Sequence, residues 1–543
     1  MKKISILFLI ASFLMAAGCY KDLGNYDYED INRVEITFEN PGPFYLILGD
    51  ELEVKAVYPD FVRNNPENYE FSWILDGETR PEWNTMDFKW TADKILDFVR
   101  LVIEVRDKTT DVVYMNYVNV NVNGVYTNDD SWMMLSDVGG KSRISFLSVA
   151  SLMDEDSEGY PEGSEQYYYE NYRFVPDVCG DELGTGPIAL QEHWREAINW
   201  SETVIGNVCV FQESGAVDLE GVGFTREVDM KSSFVGGELP AAGTVLYPGT
   251  FMDYADVVAD QDGKLYSRLK LTPEAYHSEY FLPTPLKANG EDEILEDCTV
   301  CSGFYKSNRF GYQVVYDGKN KRMLSMADGS GDYYAPAEGA ARIAPVAVDP
   351  EVSTAGIVPL DNHSGYDLMY LSQYAGGYEG VAFLYGFFEV LKGEDGGLYL
   401  QRFLYKKAYG QSPVVSSIRK QAIEGLPSIP SVCAFPIYSI QEYAFFAVDN
   451  KLYILDLENM TPAEVYYTFD SNISALNYGS GYNVHLAVGL EDGSFYVLGA
   501  YKAKNIKDEH KLVYPKTEAD RALAKTGGRI VDIKFKNNTM PWY

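Results

Sequence analysis

Cysteines, histidines and glycine-rich turns are the parts of this sequence whose spacing alone can indicate a chemical function. Cys298 and Cys301 form a single CxxC pair, the spacing of a redox centre or of half a zinc site. A second pair is missing, and the 5 histidines, at positions 193, 277, 363, 485 and 510, fall into no metal-binding spacing. An isolated disulfide or two reduced neighbours explains the pair better, so we predict no metal and no cofactor.

Other catalytic signatures are incomplete. The run "GGKS" at residues 139–142 resembles the end of a phosphate-binding loop, but the first glycine of that motif would fall at Leu135. A hairpin turn fits the run better. The sequence contains no Gly-x-Ser-x-Gly and no HExxH, and with 80 acidic residues spacing cannot nominate a pair of glycosidase carboxylates. We therefore predict no catalytic residue.

An acidic segment and two tyrosine-rich segments are the remaining candidates for binding. The segment "DEDSEGYPEGSE" (154–165) offers clustered oxygens for calcium but lacks the Asp-x-Asp-x-Asp-Gly order, which favours a solvated insertion. Segments 165–174 and 363–380 are expected in loops, where exposed rings stack on sugars or anchor peptide side chains. The alternative is that these rings pack between strands. The candidate ligand-binding residues are Tyr167, Tyr168, Tyr169, Tyr172, Tyr366, Tyr370, Tyr374 and Tyr378.

Composition limits the class of partner. The formal net charge of −35 repels phosphate backbones, so we predict no nucleic-acid binding. The same charge excludes simple electrostatic adhesion to anionic lipid. Hydrophobic residues make up 46% of the chain, which indicates a folded protein and not an acidic disordered tail.

The N-terminus predicts export and a lipid anchor. Two lysines precede an uncharged apolar stretch, Ile4 to Gly18, which is short for a membrane-spanning helix and typical of a signal peptide. The small residues before Cys19 resemble the lipobox of bacterial lipoproteins, with Ala16 in place of the usual leucine. We predict a signal peptide at 1–18, lipidation of Cys19, and an acidic tether at 19–32; the alternative is plain secretion with an incidental cysteine. The residues after Cys19 resemble outer-membrane and surface export signals of Bacteroidetes-type bacteria.

Residues 33–124 have the pattern of a small β-sandwich. Apolar and polar residues alternate in "VEITF", "DELEVKAVY" and "YVNVNVN", which places Leu52, Val54, Ala56 and Tyr58 on one face. The pattern predicts about seven short strands of an immunoglobulin-like module. "YEFSWILDGE" places Trp73 in the core and a turn at Asp76-Gly77.

Residues 128–540 contain a recurring hairpin. An Asp-Gly or Asp-Asn turn is followed by an apolar-aromatic pair, and it recurs at 262–266, 395–399, 449–453 and 492–496, with a degenerate copy at 317–319. Units of roughly 40–50 residues are typical of propeller blades. We predict an all-β chain with a β-propeller of six to eight blades, against the alternative of unrelated hairpins. The tyrosines named above would line its central face. Short helices are expected around "LQEHWREAINW" and "TEADRALAKTG".

The layout resembles the PKD-like family lipoproteins of Bacteroidetes. The resemblance rests on the lipobox, on "DLGNYDYEDINRVEI" (22–36), on the sandwich, and on "SWMMLSDVGGKSRISFLS" at the start of the second domain. It implies a lipid-anchored protein of the outer membrane or cell surface, often encoded beside Sus-type transporters. It supplies no catalytic residues.

These observations predict a non-catalytic binding protein. It would capture a glycan or a peptide for a TonB-dependent outer-membrane transporter and that transporter's lipoprotein partner, and the lipid anchor would hold it at the membrane. Two other classes remain open: a propeller enzyme acting on polysaccharide, as a glycoside hydrolase or lyase, and a scaffold for partner lipoproteins.

Overall fold

The structure is a computed structural model, and it contains two compact units, with the division after Val122. It describes residues 33–127, 131–154, 167–180, 183–198, 202, 204–301, 312–327, 342–380, 382–407, 413–437, 442–479, 485–500, 503–506, 508 and 511–537. None of the helices in this part of the chain has the length and apolar character needed to cross a membrane.

The first unit is a β-sandwich. Its described strands are β1 (Thr37–Phe38), β2 (Phe44–Ile47), β3 (Glu51–Val54), β4 (Ala56–Val57), β5 (Tyr69–Leu75), β6 (Phe88–Thr91), β7 (Leu96–Asp107) and β8 (Val113–Asn123). They form sheets of order β2-β8-β7-β5, β1-β4 and β3-β6. Helix α1 (Asp60–Arg63) and the 3-10 turns Pro66–Asn68 and Pro81–Trp83 lie in the connections.

The core of the sandwich follows the alternation in its sequence. Leu52, Val54 and Tyr58 are buried on one face, while the residues between them are more exposed. Trp73 is fully buried, its indole N–H donates to the Thr85 carbonyl at 3.0 Å, and its ring packs on Phe88. The predictions of a core tryptophan and of a turn at Asp76-Gly77, where both residues have positive φ, are confirmed.

The second unit is built from seven described sheets, which we number as blades in chain order. Blade 1 contains β9 (Ser131–Val138), β10 (Lys141–Asp154), β11 (Tyr167–Val175) and the C-terminal β35 (Arg529–Lys536). Blade 2 contains β12 (Pro187–His193), β13 (Asn207–Gln212), β14 (Val217–Leu219) and β15 (Arg226–Asp229). Blade 3 contains β16 (Leu246–Phe251), β17 (Ala255–Asp260) and β18 (Leu265–Leu269). Blade 4 contains β19 (Cys298–Val300), β20 (Tyr312–Asp317), β21 (Arg322–Ala327) and β22 (Arg342–Pro345).

Blades 5 to 7 repeat the same four-stranded antiparallel order. Blade 5 contains β23 (Tyr366–Glu379), β24 (Ala382–Gly393), β25 (Leu398–Lys407) and β26 (Val414–Ala422). Blade 6 contains β27 (Val432–Ala434), β28 (Tyr443–Val448), β29 (Lys451–Asp456) and β30 (Glu464–Thr468). Blade 7 contains β31 (Ile473–Tyr478), β32 (His485–Leu490), β33 (Phe495–Gly499) and β34 (Leu512–Tyr514). The 3-10 turns Met230–Ser233, Val235–Gly237 and Ala503–Asn505 and helix α2 (Glu518–Leu523) lie in connections of this unit.

The blades close into a ring. A separate hydrophobic cluster fills each gap between consecutive blades, for example Met133 of blade 1 against Val208 of blade 2. The last gap brings Phe495 of blade 7 against Trp132 of blade 1. Strand β35 completes blade 1 by pairing with β9, and it contacts the first strands of blades 2 and 7. Both ends of the propeller sequence thus share one blade, and the predicted all-β chain with a sandwich and a propeller is confirmed.

The recurring hairpin joins the second and third strands of blades 3 to 7. In blade 3 the Asp260 carboxylate accepts the backbone N–H groups of Asp262 and Lys264, and the Tyr266 hydroxyl donates to the same carboxylate. In blade 5 Tyr399 donates to Asp395 in a related way. In these two blades the aromatic residue therefore ties the return strand to the turn.

The "GGKS" segment is the corresponding hairpin of blade 1. Val138 pairs with Lys141 across the turn, and Gly139 and Gly140 have φ values of 64° and 87°. These values favour glycine because a side chain would be strained there. The predicted hairpin is confirmed.

One of the two predicted helices exists. Helix α2 begins with a capping box in which Thr517 and Asp520 bond each other's backbone N–H, as "TEADRALAKTG" predicted. The prediction of a helix around residues 190–200 is wrong. Its first half is strand β12, because Leu190 pairs with Val210 of β13 and donates its N–H to Asp532 of β35. Tertiary pairing overrides local helix propensity here.

Candidate functional site

A cavity of about 380 Å³ lies where the first strands of five blades converge. Blades 1, 2, 5, 6 and 7 line it. The lining residues are 190–192, 194, 370–373, 431–435, 437, 474–478, 531, 532, 534, 535 and 537. We call it the central cavity. Its volume falls in the range of about 300–1,000 Å³ that is usual for small-molecule sites.

One wall of the central cavity is aromatic. Tyr370 of β23 stacks on Phe435 of blade 6, with ring centroids 5.4 Å apart and an interplanar angle of 26°. Phe435 in turn stacks on Phe388 of β24 at 5.0 Å. Burial raises the pKa of the Tyr370 hydroxyl above its usual value of about 10. The wall can therefore offer an apolar ring with a hydrogen-bonding tip.

Amides and hydroxyls supply the uncharged polar part of the lining. Ser372 and Gln373 come from blade 5, Ser474 and Asn477 from blade 7, and Gln191 from blade 2. Antiparallel pairing with the second strand of each blade fixes these positions in the first strands. The groups can donate and accept hydrogen bonds without carrying charge.

The charged groups of the lining are already paired. Both oxygens of Glu192 are engaged, one by Lys536 Nζ at 2.7 Å and the other by the Asn537 N–H at 2.9 Å. Asp532 accepts the Leu190 N–H at 2.8 Å and Lys534 Nζ at 3.2 Å. The Glu192–Lys536 and Leu190–Asp532 bonds also join β12 to β35, so they contribute to closing the ring.

The structure places the eight candidate tyrosines in different environments. Tyr370 alone among those with described side chains lines the central cavity. Tyr172 packs on Tyr514 and bonds Asp520, Tyr366 packs on Tyr399 and accepts a bond from Lys420, and Tyr374 stacks on Phe388. The side chains of Tyr167, Tyr168, Tyr169 and Tyr378 lie outside the described residues. Ligand contact by these tyrosines stays a prediction.

The expectation that the tyrosine-rich segments are loops is wrong over most of their length. Residues 167–175 are the outermost strand of blade 1, and residues 366–379 are the first strand of blade 5. Tyr374 lies opposite Gly386, where even a Cβ atom would overlap its ring. Tyrosine's preference for strands explains the difference. Residues 155–165 of the acidic segment lie outside the described residues.

A second polar cluster lies between blades 2 and 3, and it is not among the predicted sites. Asp218 is fully buried, and its two oxygens lie 2.9 Å from His193 Nε2 and 2.9 Å from His277 Nε2. Burial alone would raise the pKa of Asp218, but the two imidazoles outweigh it and hold that pKa well below its usual range. These histidines are far apart in sequence, so no spacing motif could reveal the cluster.

The geometry of this cluster does not suit a metal ion. Asp218, Glu227 and His277 offer ligand atoms within 4.8 Å of one another. However, Arg268 Nη1 lies 3.3 Å from His277 Nδ1, and a guanidinium can only donate. Nδ1 is therefore the acceptor, so the proton of the ring sits on Nε2 and leaves that atom without a lone pair for a cation.

Cys298 and Cys301 do not act as a pair. Both thiols are free; Cys298 packs in the core between blades 3 and 4, and Cys301 packs in the core between blades 4 and 5. Burial raises the pKa of Cys298 to about 12. The two side chains belong to different faces of blade 4, and their burial disfavours the reactive thiolate form.

Comparisons with known proteins identify the N-terminal part of the chain. Residues 19–175 match the sequence model of the PKD-like family. The resemblance to that family is confirmed over this segment, which contains the whole sandwich and reaches into blade 1. No curated protein matches the chain.

Solved structures that align over more than half of this chain share little sequence with it. A quinonprotein alcohol dehydrogenase-like protein from Bacteroides thetaiotaomicron aligns over 92% of this chain and 98% of its own at 10% identity, with a TM-score of 0.34. Apo AztD from Citrobacter koseri aligns over 87% and 99% at 10% identity, with a TM-score of 0.32. The Pan2 WD40 domain of Neurospora crassa aligns over 55% and 74% at 9% identity, with a TM-score of 0.30. These scores are too low to support conclusions about function.

Proposed function

We propose that this protein is a lipid-anchored binding protein of the outer membrane or cell surface. Its propeller captures a glycan or a peptide and passes it to a TonB-dependent transporter and that transporter's lipoprotein partner. The central cavity carries this proposal, because it combines an aromatic wall with several uncharged hydrogen-bonding residues from blades 2, 5 and 7. Such a lining is typical of reversible binding of a polar ligand.

The state of the cavity carboxylates favours binding over catalysis. A glycoside hydrolase needs one carboxyl group that can give up a proton and a second that can accept one or attack. Glu192 and Asp532 are the carboxylates of the lining, and each is held by a lysine and by backbone N–H groups. These bonds occupy the carboxylate oxygens and give both residues a structural role, so neither is free to contact a substrate.

The anchor is the second part of the proposal. Cys19 lies outside the described residues, so the anchor rests on the lipobox pattern in the sequence. The match to the PKD-like family begins at this same residue, which supports Cys19 as the first residue of the mature protein. Several acyl chains, each contributing about 0.8 kcal/mol per buried CH₂, would be enough for stable anchoring.

Replacing Cys19 with alanine is expected to release the protein from membranes. The full chain would be produced in a bacterium that processes lipoproteins, and its distribution between the membrane and soluble fractions would be measured after a high-salt wash. Cys298→Ala is the matched control, because it removes a free, half-buried cysteine of the propeller. Persistence of Cys19→Ala in the membrane fraction at the level of the control would contradict the anchor.

Ligand capture is tested with the soluble chain of residues 20–543 on arrays of glycans and peptides, with turnover measured for every hit. Ser372→Trp is expected to abolish binding, because it introduces a large side chain into the central cavity. Met369→Trp is the matched control, because Met369 lies on the same strand, is 44% exposed and is not part of the lining.

Each other outcome points to a specific alternative. Turnover of a bound polysaccharide would establish an enzyme. Binding that Ser372→Trp leaves intact would move the site away from the central cavity. A blank array together with co-purification of a transporter would establish the scaffold.

A further inference from the structure

We infer that the central cavity holds a ligand with a single carboxylate, and that Lys534 is the residue that recognises this group. The inference rests on the proposed function, since it names the chemistry of the ligand for the same cavity. A uronic acid of an oligosaccharide and the C-terminus of a peptide share this chemistry. Three observations support it: the position of Lys534, the donors that its ion pair leaves unused, and the aromatic wall of the same cavity.

Strand β35 brings Lys534 to the centre of the ring. It is the last strand in the sheet order β11-β10-β9-β35, so one of its edges has no strand of its own blade beside it. Asp532, Lys534 and Lys536 stand at alternate positions along it. Asp532 accepts the Leu190 N–H, and Lys536 donates to Glu192 of the same strand β12. Lys534 comes between these two bonds and is part of the lining of the central cavity.

The two lysines differ in the donors that they leave unused. The Lys536 side chain is 0% exposed, and its ammonium donates to the Glu192 carboxylate at 2.7 Å and to the Gly206 carbonyl at 3.2 Å. The Lys534 side chain is 34% exposed, and in the described part of the chain its ammonium bonds only Asp532, at 3.2 Å. An ammonium has three N–H donors, so Lys534 has two that no described residue uses.

Asp532 does not depend on this lysine. Its two oxygens also accept backbone N–H groups, one from Leu190 at 2.8 Å and the other from Ile533 at 2.9 Å. The contact with Lys534 is partly exposed, so it contributes little to stability. A ligand carboxylate can therefore bond the Lys534 ammonium, or share it with Asp532, without leaving the aspartate unpartnered.

Lys534 is the most accessible charge of the described lining. The other two charged residues there are Glu192 and Asp532, whose side chains are 5% and 18% exposed. A ligand in the cavity therefore meets a positive group, which favours an anionic partner through charge-assisted hydrogen bonds. The formal net charge of −35 repels polyanions, so a ligand with one carboxylate fits the protein better than a highly acidic glycan.

The aromatic wall borders the same space. Tyr370 and Phe435 both line the cavity, and their rings stack with centroids 5.4 Å apart. Burial is the main cause of the raised pKa of the Tyr370 hydroxyl, and the negative charge of Asp532 is a smaller one, so Asp532 lies within electrostatic reach of this ring. A ligand that fills about 380 Å³ can thus place an apolar face on the wall and its carboxylate at Lys534.

Lysine acetylation tests whether the ammonium can be reached, using the chain of residues 20–543 without ligand. Lys534 is expected to react with acetic anhydride at least about a hundredfold faster than Lys536, because a fully buried ammonium reacts only through local opening. Lys525 is the exposed reference, since it lies outside the lining and also pairs with an aspartate, at 3.3 Å. Peptide mass spectrometry measures the three rates. Protection of Lys534 equal to that of Lys536 would overturn the inference, whatever the arrays show.

Paired probes then test the carboxylate. Trisaccharides that end in glucuronic acid or in glucose form one pair, and N-acetylated tripeptides that end in a carboxylate or in an amide form the other. Calorimetric titration is expected to show one carboxylate probe binding about tenfold more tightly than its neutral counterpart. This ratio should decrease at high salt, because the ammonium is partly exposed. The pair that shows the preference identifies the source of the carboxylate.

Substitutions of Lys534 separate recognition from structure. Lys534→Gln is expected to abolish the preference for the carboxylate probe while leaving thermal stability nearly unchanged, because Asp532 keeps its backbone partners. Lys534→Arg retains a cation and should retain the preference. Lys525→Gln is the matched control, because it removes the lysine of a partly exposed aspartate pair outside the lining, and it should bind like the wild type.

The outcomes separate this inference from the proposed function. A neutral probe that binds at least as tightly as its carboxylate counterpart, and loses that binding in Ser372→Trp, would overturn the inference and leave the binding cavity intact. A carboxylate preference that survives Lys534→Gln would also overturn it. No binding of any probe in either pair, together with blank arrays, would remove the proposed function itself and this inference with it.

Discussion

Replacing Asp256 with asparagine is expected to lower the free energy of unfolding of the propeller by about 3–5 kcal/mol. Asp256 is 1% exposed and is shared by two cations, Arg268 at 2.7 Å and Lys270 at 3.3 Å, whose side chains are also buried. A neutral amide would leave both positive charges inside the protein without this counter-ion. Removing one partner of a buried ion pair is far more costly than the net worth of the pair, because the desolvated charge remains.

The neighbours of Arg268 cannot take over the role of the carboxylate. Its guanidinium also donates to the Tyr276 carbonyl at 2.8 Å and lies 4.9 Å from the centre of the Phe281 ring. These contacts satisfy hydrogen bonds and orient the group, but they carry no formal negative charge. The fixed guanidinium also determines which nitrogen of His277 is protonated, so the loss of Asp256 is expected to disturb the Asp218 cluster as well.

Chemical denaturation at pH 7 measures the effect, with far-ultraviolet circular dichroism as the signal. Asp262→Asn is the matched control in the same blade, since the Asp262–Lys264 pair is largely exposed on the aspartate side and should contribute about 0–1 kcal/mol. A loss below about 1 kcal/mol for Asp256→Asn would show that the two cations are solvated or neutralised by other groups.

The difference in the free energy of unfolding between wild type and Asp256→Asn should depend on pH in a direction set by the pKa of Asp256. Burial would raise the pKa of Asp256, but Lys270 and Arg268 outweigh it and lower the pKa below its usual value. A carboxylate with a lowered folded-state pKa stabilises the protein above its unfolded pKa of about 3.9, and this contribution is lost as the pH falls further. The difference in the free energy of unfolding between wild type and Asp256→Asn should therefore be largest at neutral pH and should decrease below about pH 4.

The local features of this fold could be predicted from the sequence because short-range rules determine them. The alternation in "DELEVKAVY" placed Leu52 and Val54 in the sandwich core, and the Asp-Gly turns marked the hairpins of blades 3 to 7. The irregular spacing of those turns left the blade number open. The degenerate copy at Asp317 also forms a hairpin, in blade 4. There Asn320 and Arg322 donate hydrogen bonds to the Asp317 carboxylate.

The candidate site was harder to predict, because ring closure creates it. Gln191, Gln373 and Asp532 stand on strands of three different blades, and nothing in their local sequence separates them from other strand residues. The composition of the tyrosine-rich segments predicts ligand contact, and one of their tyrosines, Tyr370, lines the cavity. The pattern of residues 190–200 predicts a helix, whereas the structure has β12 there, the strand that supplies Gln191, Glu192 and His193.

Deleting β35 is expected to abolish cooperative folding of the propeller, the largest effect that we expect from any change in the chain. A chain that ends at Gly528 loses Ile530, Ile533 and Phe535 from the core between blades 7 and 1. Burial of such side chains contributes about 1.5–3 kcal/mol each, and a domain has only about 5–15 kcal/mol of stability in total. Thermal unfolding and limited proteolysis of this chain would measure the loss, with a chain that ends at Asn537 as the matched control.

The deletion removes more than apolar area, and this is why partial folding is not the expected result. Without β35 the first strand of blade 1 is missing, so β9 becomes an unpaired edge and Glu192 loses both Lys536 and Asn537. The sandwich has its own core, so its transition should persist and serve as an internal reference. A shortened chain whose propeller still melted cooperatively near the control would show that the cores between the other blades are sufficient. A synthetic peptide of residues 529–537 that restored the transition would instead establish strand pairing as the closing interaction.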